Sequence, residues 1–168
     1  MAGKALSLFD GVKETAATAM PYPHWVRVEL VREDAVAYRT KIGEPQDLAA
    51  FVAPLIEREA REVFLVVCLD TKHHVNAVHR VGVGGIDHVT AHPREVFQAA
   101  LLANAASVAL AHNHPSGDPT PSGQDVLLTH RLIDAGEILG VPVIDHLVIG
   151  CHSHVSIRKQ HPEFGWGE

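Results

Sequence analysis

SVALAHNHPSGDPTPSGQDVLLTH (Ser107–His130) holds, in one short run, a strand, a stiff loop and the start of a helix. SVALAH is a compact apolar stretch of the kind that forms a buried strand. The following NHPSGDPTP is dense in Pro and Gly, which mark a loop, and its prolines at 115, 119 and 121 restrict the unfolded chain and so lower the entropy lost on ordering it. Ser122 stands where a helix N-cap belongs, and Gly140 is a suitable C-terminal stop. Between them Leu128, Leu132, Ala135 and Leu139 recur at helical spacing and are expected to form the buried stripe.

Within this run His112 and His114 are two residues apart. Alternate residues of extended chain face the same side, so both imidazoles can address one ion while Asn113 points away. Asp125 falls in the first turn of the helix, three residues before Leu128, so its carboxylate extends the inward face. Two neutral imidazoles and one carboxylate suit a catalytic zinc with a fourth position left for water. Ser122-x-x-Asp125 also resembles a capping box, although that motif prefers Glu or Gln at its last position. On spacing alone the metal reading and the capping reading both stand.

Working outward, Val26–Val31 alternates apolar and polar residues, and with Val36–Thr40 it reads as two strands joined at Glu33-Asp34. Pro45 opens a helical pattern with Leu48, Phe51, Val52 and Leu55 on one face, which Pro54 should kink or shorten. Glu62–Asp70 is nearly continuous apolar chain and reads as a buried strand, turning at Asp70-Thr71-Lys72 into a second strand. His92–Ala106 reads as a helix with Phe97, Ala100, Leu101 and Asn104 on one side. Downstream, His146–Gly150 and His154–Arg158 form a hairpin. The pattern is that of a single α/β layered domain without internal repeats.

The chain has 168 residues, enough for one domain with a sizeable core. Its net charge is −6 with histidines neutral, and it shows no basic stripe, which argues against non-specific DNA binding. Two cysteines make no disulfide framework, and Cys68 in FLVVCLD reads as a small buried hydrophobe. No apolar run is long enough to span a bilayer, and the amino terminus lacks a signal-peptide core, so a cytoplasmic location is expected.

Other clusters read less strongly. CHSH (Cys151–His154) repeats the His-x-His spacing, but no carboxylate follows on a capped helix, so His152 and His154 are expected to be solvated beside a turn. His73, His74, His79, His88 and His92 gather around one hairpin without the acid or thiol spacing of a metal site. Asp118 is expected to cap the turn after Gly117. His146 is open between a group that supports the metal ligands and an ordinary core histidine. Trp166 is expected to pack over the sheet.

His112-x-His114-x₇-Ser122-x₂-Asp125 resembles the JAMM motif of JAB/MPN-domain metalloproteases. With HNHPSGDPTPS, the downstream DHLVIG and the upstream PREVF (Pro93–Phe97), the chain is similar to the RadC family over roughly residues 45–158. The resemblance implies a JAB/MPN-like fold, a mixed and mostly antiparallel sheet flanked by helices. Residues 1–44 would be an unassigned arm and 159–168 a tail. It implies zinc (Zn2+) held by His112, His114 and Asp125, with Glu62 as general base and Ser122 as partner of the oxyanion. Read without the family, Glu62 is a surface charge at a strand entry, with Glu57, Glu59 and Glu95 as competitors, and Ser122 is a helix cap. The implied activity is a zinc metallopeptidase or isopeptidase acting on a protein or peptide, with ubiquitin-like or sulfur-carrier tails as candidate substrates. Two rivals are a DNA-repair or DNA-processing accessory, opposed by the acidic balance and by the lack of a helix-hairpin-helix pattern in residues 1–44, and a catalytically silent interaction module, opposed by the full ligand set.

Overall fold

In a computed structural model of the chain, residues 40–84 and 91–167 are described. The expected strands at 26–31 and 36–40 lie outside these residues, apart from Thr40, and so does His88. The elements run α1 (Pro45–Ile56), β1 (Val63–Leu69), β2 (Val75–Val83), α2 (Pro93–Leu102), β3 (Ser107–Asn113), α3 (Gly123–Leu139), β4 (Val143–Gly150), β5 (Ser153–Ser156) and α4 (Ile157–Gln160), closed by a 3₁₀ turn at Pro162–Phe164. The sheet order is β2-β1-β3-β4-β5. Only β3 and β4 run parallel, and α3 is the crossover that such a pair requires. The architecture is thus the mixed, mostly antiparallel sheet expected.

The central strands β1, β3 and β4 are buried along their whole length, so both sheet faces must be covered. Alternation sorts the side chains. Val63, Leu65, Val67 and Leu69 join Ala109, Ala111, Leu147 and Ile149 beneath α1. Phe64, Val66 and Cys68 join Val108 and Leu110 beneath α2 and α3, with Phe97 and Leu132 as helix anchors. Each fully buried Val, Leu, Ile or Phe of these layers contributes about 1.5–3 kcal/mol. Trp166 packs against the second layer, as expected, and its indole N–H donates to the carbonyl of His161 at 2.8 Å.

The helix faces differ from the sequence reading. In α1 the buried set is Leu48, Ala49, Val52 and Ile56, while Phe51 is half-buried and Leu55 exposed. Pro54 sits in the last turn. The amide it lacks would have met the carbonyl of Ala50, an exposed residue that water can serve. In α2 the helix stops at Leu102, four residues before the expected end. Asn104 adopts φ 50° there, and the Asn104 and Ala105 amides return to Leu101 and Ala100. This double bond pattern ends a helix on a left-handed residue, so Asn104 is a terminator and not a core position; Leu101 is exposed as well.

In α3 the buried residues are Thr129, Leu132, Ile133 and Gly136, not Leu128, Ala135 and Leu139, so only Leu132 of the expected stripe is central. Gly136 decides the rotation. A Cβ there would lie 2.6 Å from the Val141 carbonyl and 3.2 Å from Phe97, so bare backbone is needed for contact. The helix ends at Gly140 as expected, with φ 68°. The expected strand 154–158 ends early, because Ser156 caps α4 and turns Ile157 and Arg158 into helix.

Candidate metal centre

Four acidic and imidazole side chains meet where β3 ends and α3 begins. His112 is the penultimate residue of β3, paired with Phe64 on β1 and Val148 on β4, and its even-numbered position turns it to the α3 face. His114, two residues on, follows it to the same side. Asp125 occupies the third position of α3, one turn before Thr129 on the face that Leu132 and Gly136 continue. Glu62 immediately precedes β1 and shares the side of Phe64. It is buried, 6% exposed, which rules out the surface-charge reading.

One atom from each of Glu62, His112, His114 and Asp125 falls within 4.8 Å of every other. His112 Nε2 lies 3.2 Å from His114 Nε2 and 3.4 Å from Asp125 Oδ1, and His114 Nε2 lies 3.5 Å from Asp125 Oδ2. Ligands about 2.0–2.1 Å from a tetrahedral zinc are separated by about 3.3 Å. The separations among these three residues, taken to a different Asp125 oxygen for each imidazole, are close to the edge lengths of such a tetrahedron. Glu62 Oε1 lies farther out, 4.0 Å from His112 Nε2.

The electrostatics agree with a cation at the centre of this group. Burial works against ionising Asp125, but the His112 and His114 imidazoles beside it and the Ser122 cap outweigh it and hold the carboxyl far below the usual range. Its position in the first turn of α3 adds the favourable end of the helix dipole. The Asp125 carboxylate beside it raises the His114 imidazole above its ordinary value, against the opposing effect of burial. His114 is aimed by its other nitrogen, since Nδ1 donates to the Asp118 carbonyl at 2.8 Å, which leaves the Nε2 lone pair facing the cluster. Asp118 thus contributes its backbone, while its side chain binds Thr120 and caps the turn after Gly117, as expected.

Ser122 and Asp125 make a true capping box, so the capping reading and the clustering of Asp125 hold together. The Ser122 amide donates to Asp125 Oδ2 at 2.7 Å and the Asp125 amide to Ser122 Oγ at 3.2 Å. Ser122 is exposed and stands beside the four-residue group, not within it. The competing acids are engaged elsewhere. Glu59 pairs with Arg80, Glu95 closes the cap of α2, and Glu57 Oε1 is 3.0 Å from His152 Nδ1.

CHSH has its Cys151 and His152 at the surface, as expected of a solvated turn, but that last contact adds something to it. A carboxylate does arrive there, from the end of α1, and Glu57, Cys151 and His152 have ligand atoms within the same mutual distance; Cys151 and His152 are both exposed. The histidines of the β2 hairpin form no such group among the described residues. His74 pairs with Asp70, and His92 caps α2.

Two residues escaped the sequence reading. Asn113 does point away from the side that His112 and His114 share, but to a purpose. Its Oδ1 accepts from the Val63 amide at 2.8 Å, and its Nδ2 donates to the carbonyls of Arg61 and Glu59 at 3.1 and 3.3 Å. It pins the segment that carries Glu62. Thr129 lies four residues after Asp125 on the same helix face, and its hydroxyl contacts both the Asp125 carbonyl and His146 Nδ1 at 2.6 Å. The i, i+4 step from Asp125 was the available signal. His146 is fully buried, with Nε2 2.9 Å from His112 Nδ1.

A model of the RadC-like JAB domain family matches residues 42–162. The chain is 38% identical over 122 residues to a UPF0758 protein of Methanosarcina barkeri and 45% identical over 122 residues to one of Moorella thermoacetica, covering in each case 73% of this chain and 53% of the relative. It is 37% identical over 159 residues to a UPF0758 protein of Clostridium perfringens, 94% of this chain and 68% of the relative. It spans about half the length of the first two of these relatives. No described helix is long and apolar enough to cross a membrane.

Proposed function

The chain belongs to the RadC-like JAB domain family, and from that premise we propose that it is a zinc-dependent metallopeptidase or isopeptidase of the JAMM type. The observation that carries the reading is the convergence of His112 Nε2, His114 Nε2 and the two Asp125 carboxylate oxygens, one near each ring, at 3.2–3.5 Å, with the Glu62 carboxylate beside them. His112, His114 and Asp125 would hold the metal. Zinc bound there supplies Lewis acidity, lowering the pKa of bound water to about 7 and polarising a carbonyl.

The remaining steps belong to the protein. Glu62, buried and fixed by the Asn113 clamp, takes a proton from the attacking water and returns it to the leaving amine, work worth roughly 10²–10⁴ in rate. Ser122 Oγ accepts the Asp125 amide in its cap, and so keeps its own proton free to donate to the oxyanion as charge develops. The amide C–N bond breaks, one product leaves as a carboxylate and the other as an amine. The substrate is a protein or peptide, and an extended Gly-Gly tail of a ubiquitin-like or sulfur-carrier protein is the class proposed.

The test is a pair of variants assayed on peptide and isopeptide substrates with such tails. Glu62→Gln should keep stoichiometric zinc, measured by elemental analysis, and lose at least about a hundredfold in kcat. Asp125→Asn should lose zinc itself. Full activity in Glu62→Gln would remove Glu62 from the mechanism. Purified protein that takes up no divalent metal would end the hydrolase reading.

A further inference from the structure

We infer that Thr129 and His146 form a proton-ordering relay that sets the tautomer of His112 and thereby presents its Nε2 lone pair to the metal. The inference rests on the metal reading above and adds two positioning residues to it.

The argument starts from a single hydrogen. Thr129 Oγ1 is 2.6 Å from the Asp125 carbonyl and 2.6 Å from His146 Nδ1. A carbonyl only accepts, so the one hydroxyl proton must be spent on it. The hydroxyl oxygen is then left to accept, and His146 Nδ1 must carry a proton. His146 is fully buried, and its ring nitrogens meet the Thr129 hydroxyl and His112 with no carboxylate among their hydrogen-bond partners, so the ring is neutral. A neutral imidazole with its proton on Nδ1 has a bare Nε2. That atom faces His112 Nδ1 at 2.9 Å, so His112 Nδ1 must be the donor. With His112 protonated on Nδ1, its Nε2 is a lone pair, and it points at His114 Nε2 and Asp125 Oδ1.

The chain of bonds therefore runs from Asp125's own backbone to the ring that shares the ion with Asp125's side chain. His114 reaches the same tautomer by a separate route, through the Asp118 carbonyl. Phe64 walls the relay, stacked at 6.0 Å on His112 and edge-on at 5.2 Å to His146. Its ring offers no hydrogen-bond partner that would stabilise the other tautomers. Such outer partners orient metal-ligating imidazoles and raise their basicity, and losing one costs about 10–100-fold in metal affinity.

The experiment uses the whole chain labelled with ¹⁵N-histidine and reads the tautomers by long-range proton–nitrogen correlation, first without metal. Zinc affinity is measured separately by chelator competition. In the unaltered protein His112 and His146 should both be neutral with the proton on Nδ1. Thr129→Val keeps the shape and removes the hydroxyl, so His146 loses its acceptor and is free to carry its proton on Nε2. That donor would force His112 to the opposite tautomer, and zinc affinity should fall 10–100-fold. Thr129→Ser should restore both the tautomer and the affinity, which a role in packing alone would not do. His146→Gln, whose carbonyl can still accept from His112, should lose less than His146→Phe. Finding His112 protonated on Nε2 in the unaltered protein, or an unchanged affinity in Thr129→Val, overturns the relay. The stated tautomers without any zinc uptake would uphold the relay and sink the metal reading.

Discussion

Replacing Asn113 by Ala removes three hydrogen bonds from one buried side chain. They reach the Val63 amide at 2.8 Å, the Arg61 carbonyl at 3.1 Å and the Glu59 carbonyl at 3.3 Å. The three losses are unequal. Val63 is fully buried, so its amide loses its partner with no access to water, at about 1–3 kcal/mol. Arg61 is exposed and Glu59 half-buried, so their carbonyls can turn to solvent, and each bond is worth about 0.5–1.5 kcal/mol at most. The sum expected is about 2–4 kcal/mol, which for a chain of this size lowers Tm by about 5–15 °C. Urea denaturation of Asn113→Ala and Asn113→Asp measures it. The Asp variant keeps an acceptor for Val63 but turns an oxygen toward two carbonyls, so at neutral pH it should be no more stable than the Ala variant. Because the clamp holds Glu62 and not the proposed metal ligands, the proposed hydrolase activity should show a lower kcat in both while zinc affinity stays within a few-fold. A loss of stability below about 0.5 kcal/mol in both variants would show that the segment before β1 is held by something else, and the reasoning from orphaned amides would fail here.

Gly150→Ala should damage the metal centre from a distance. A Cβ there would lie 2.4 Å from the Gly117 carbonyl and 2.8 Å from Pro119 Cδ, so the loop bearing Asp118 must shift and release His114 Nδ1. Zinc affinity measured by chelator competition should drop about 10–100-fold with the far-ultraviolet circular dichroism unchanged. The two thiols should differ sharply. Burial pushes Cys68 up to about 12 while Cys151 is exposed, so iodoacetamide at pH 8 should label one cysteine in the native chain and two in urea, counted by mass spectrometry. At that pH only about one Cys68 in 10⁴ is a thiolate. Since the folded value lies above the unfolded one, near 9, the stability held at lower pH should decline as pH rises from 9 toward 12, and Cys68→Ala should remove that decline.

Some of this molecule was written locally and some was not. The strand-loop-helix run from Ser107 to Gly140 needed only short-range rules: an apolar run, prolines, a cap and a left-handed glycine. The inward direction of His112, His114 and Asp125 followed from periods of two and of 3.6 residues. The helix faces were harder, because hydrophobicity alone chose Leu128, Leu139, Leu101 and Leu55. The chain left Leu139, Leu101 and Leu55 exposed and Leu128 half-buried, while small or polar Gly136 and Thr129 occupy the interior. A glycine is buried for the backbone contact it permits, and a threonine for the bond it makes, and neither reason is visible in an apolar pattern. Asn104 misled for the opposite cause, since an asparagine can end a helix as readily as it can line one.

The order of residues alone brought His112, His114 and Asp125 together, because all three lie on one strand, one loop and one helix start, within reach of each other along the chain. What only the tertiary structure decided was everything contributed from elsewhere. Glu62 and the Asn113 clamp come together by the pairing of β1 with β3, His146 by the pairing of β3 with β4, and Glu57, at the end of α1, meets His152 in the β4–β5 turn. Local periodicity can say which way a side chain points. Which distant group it will meet there depends on strand order and register, and those are set by burying both faces of the sheet at once.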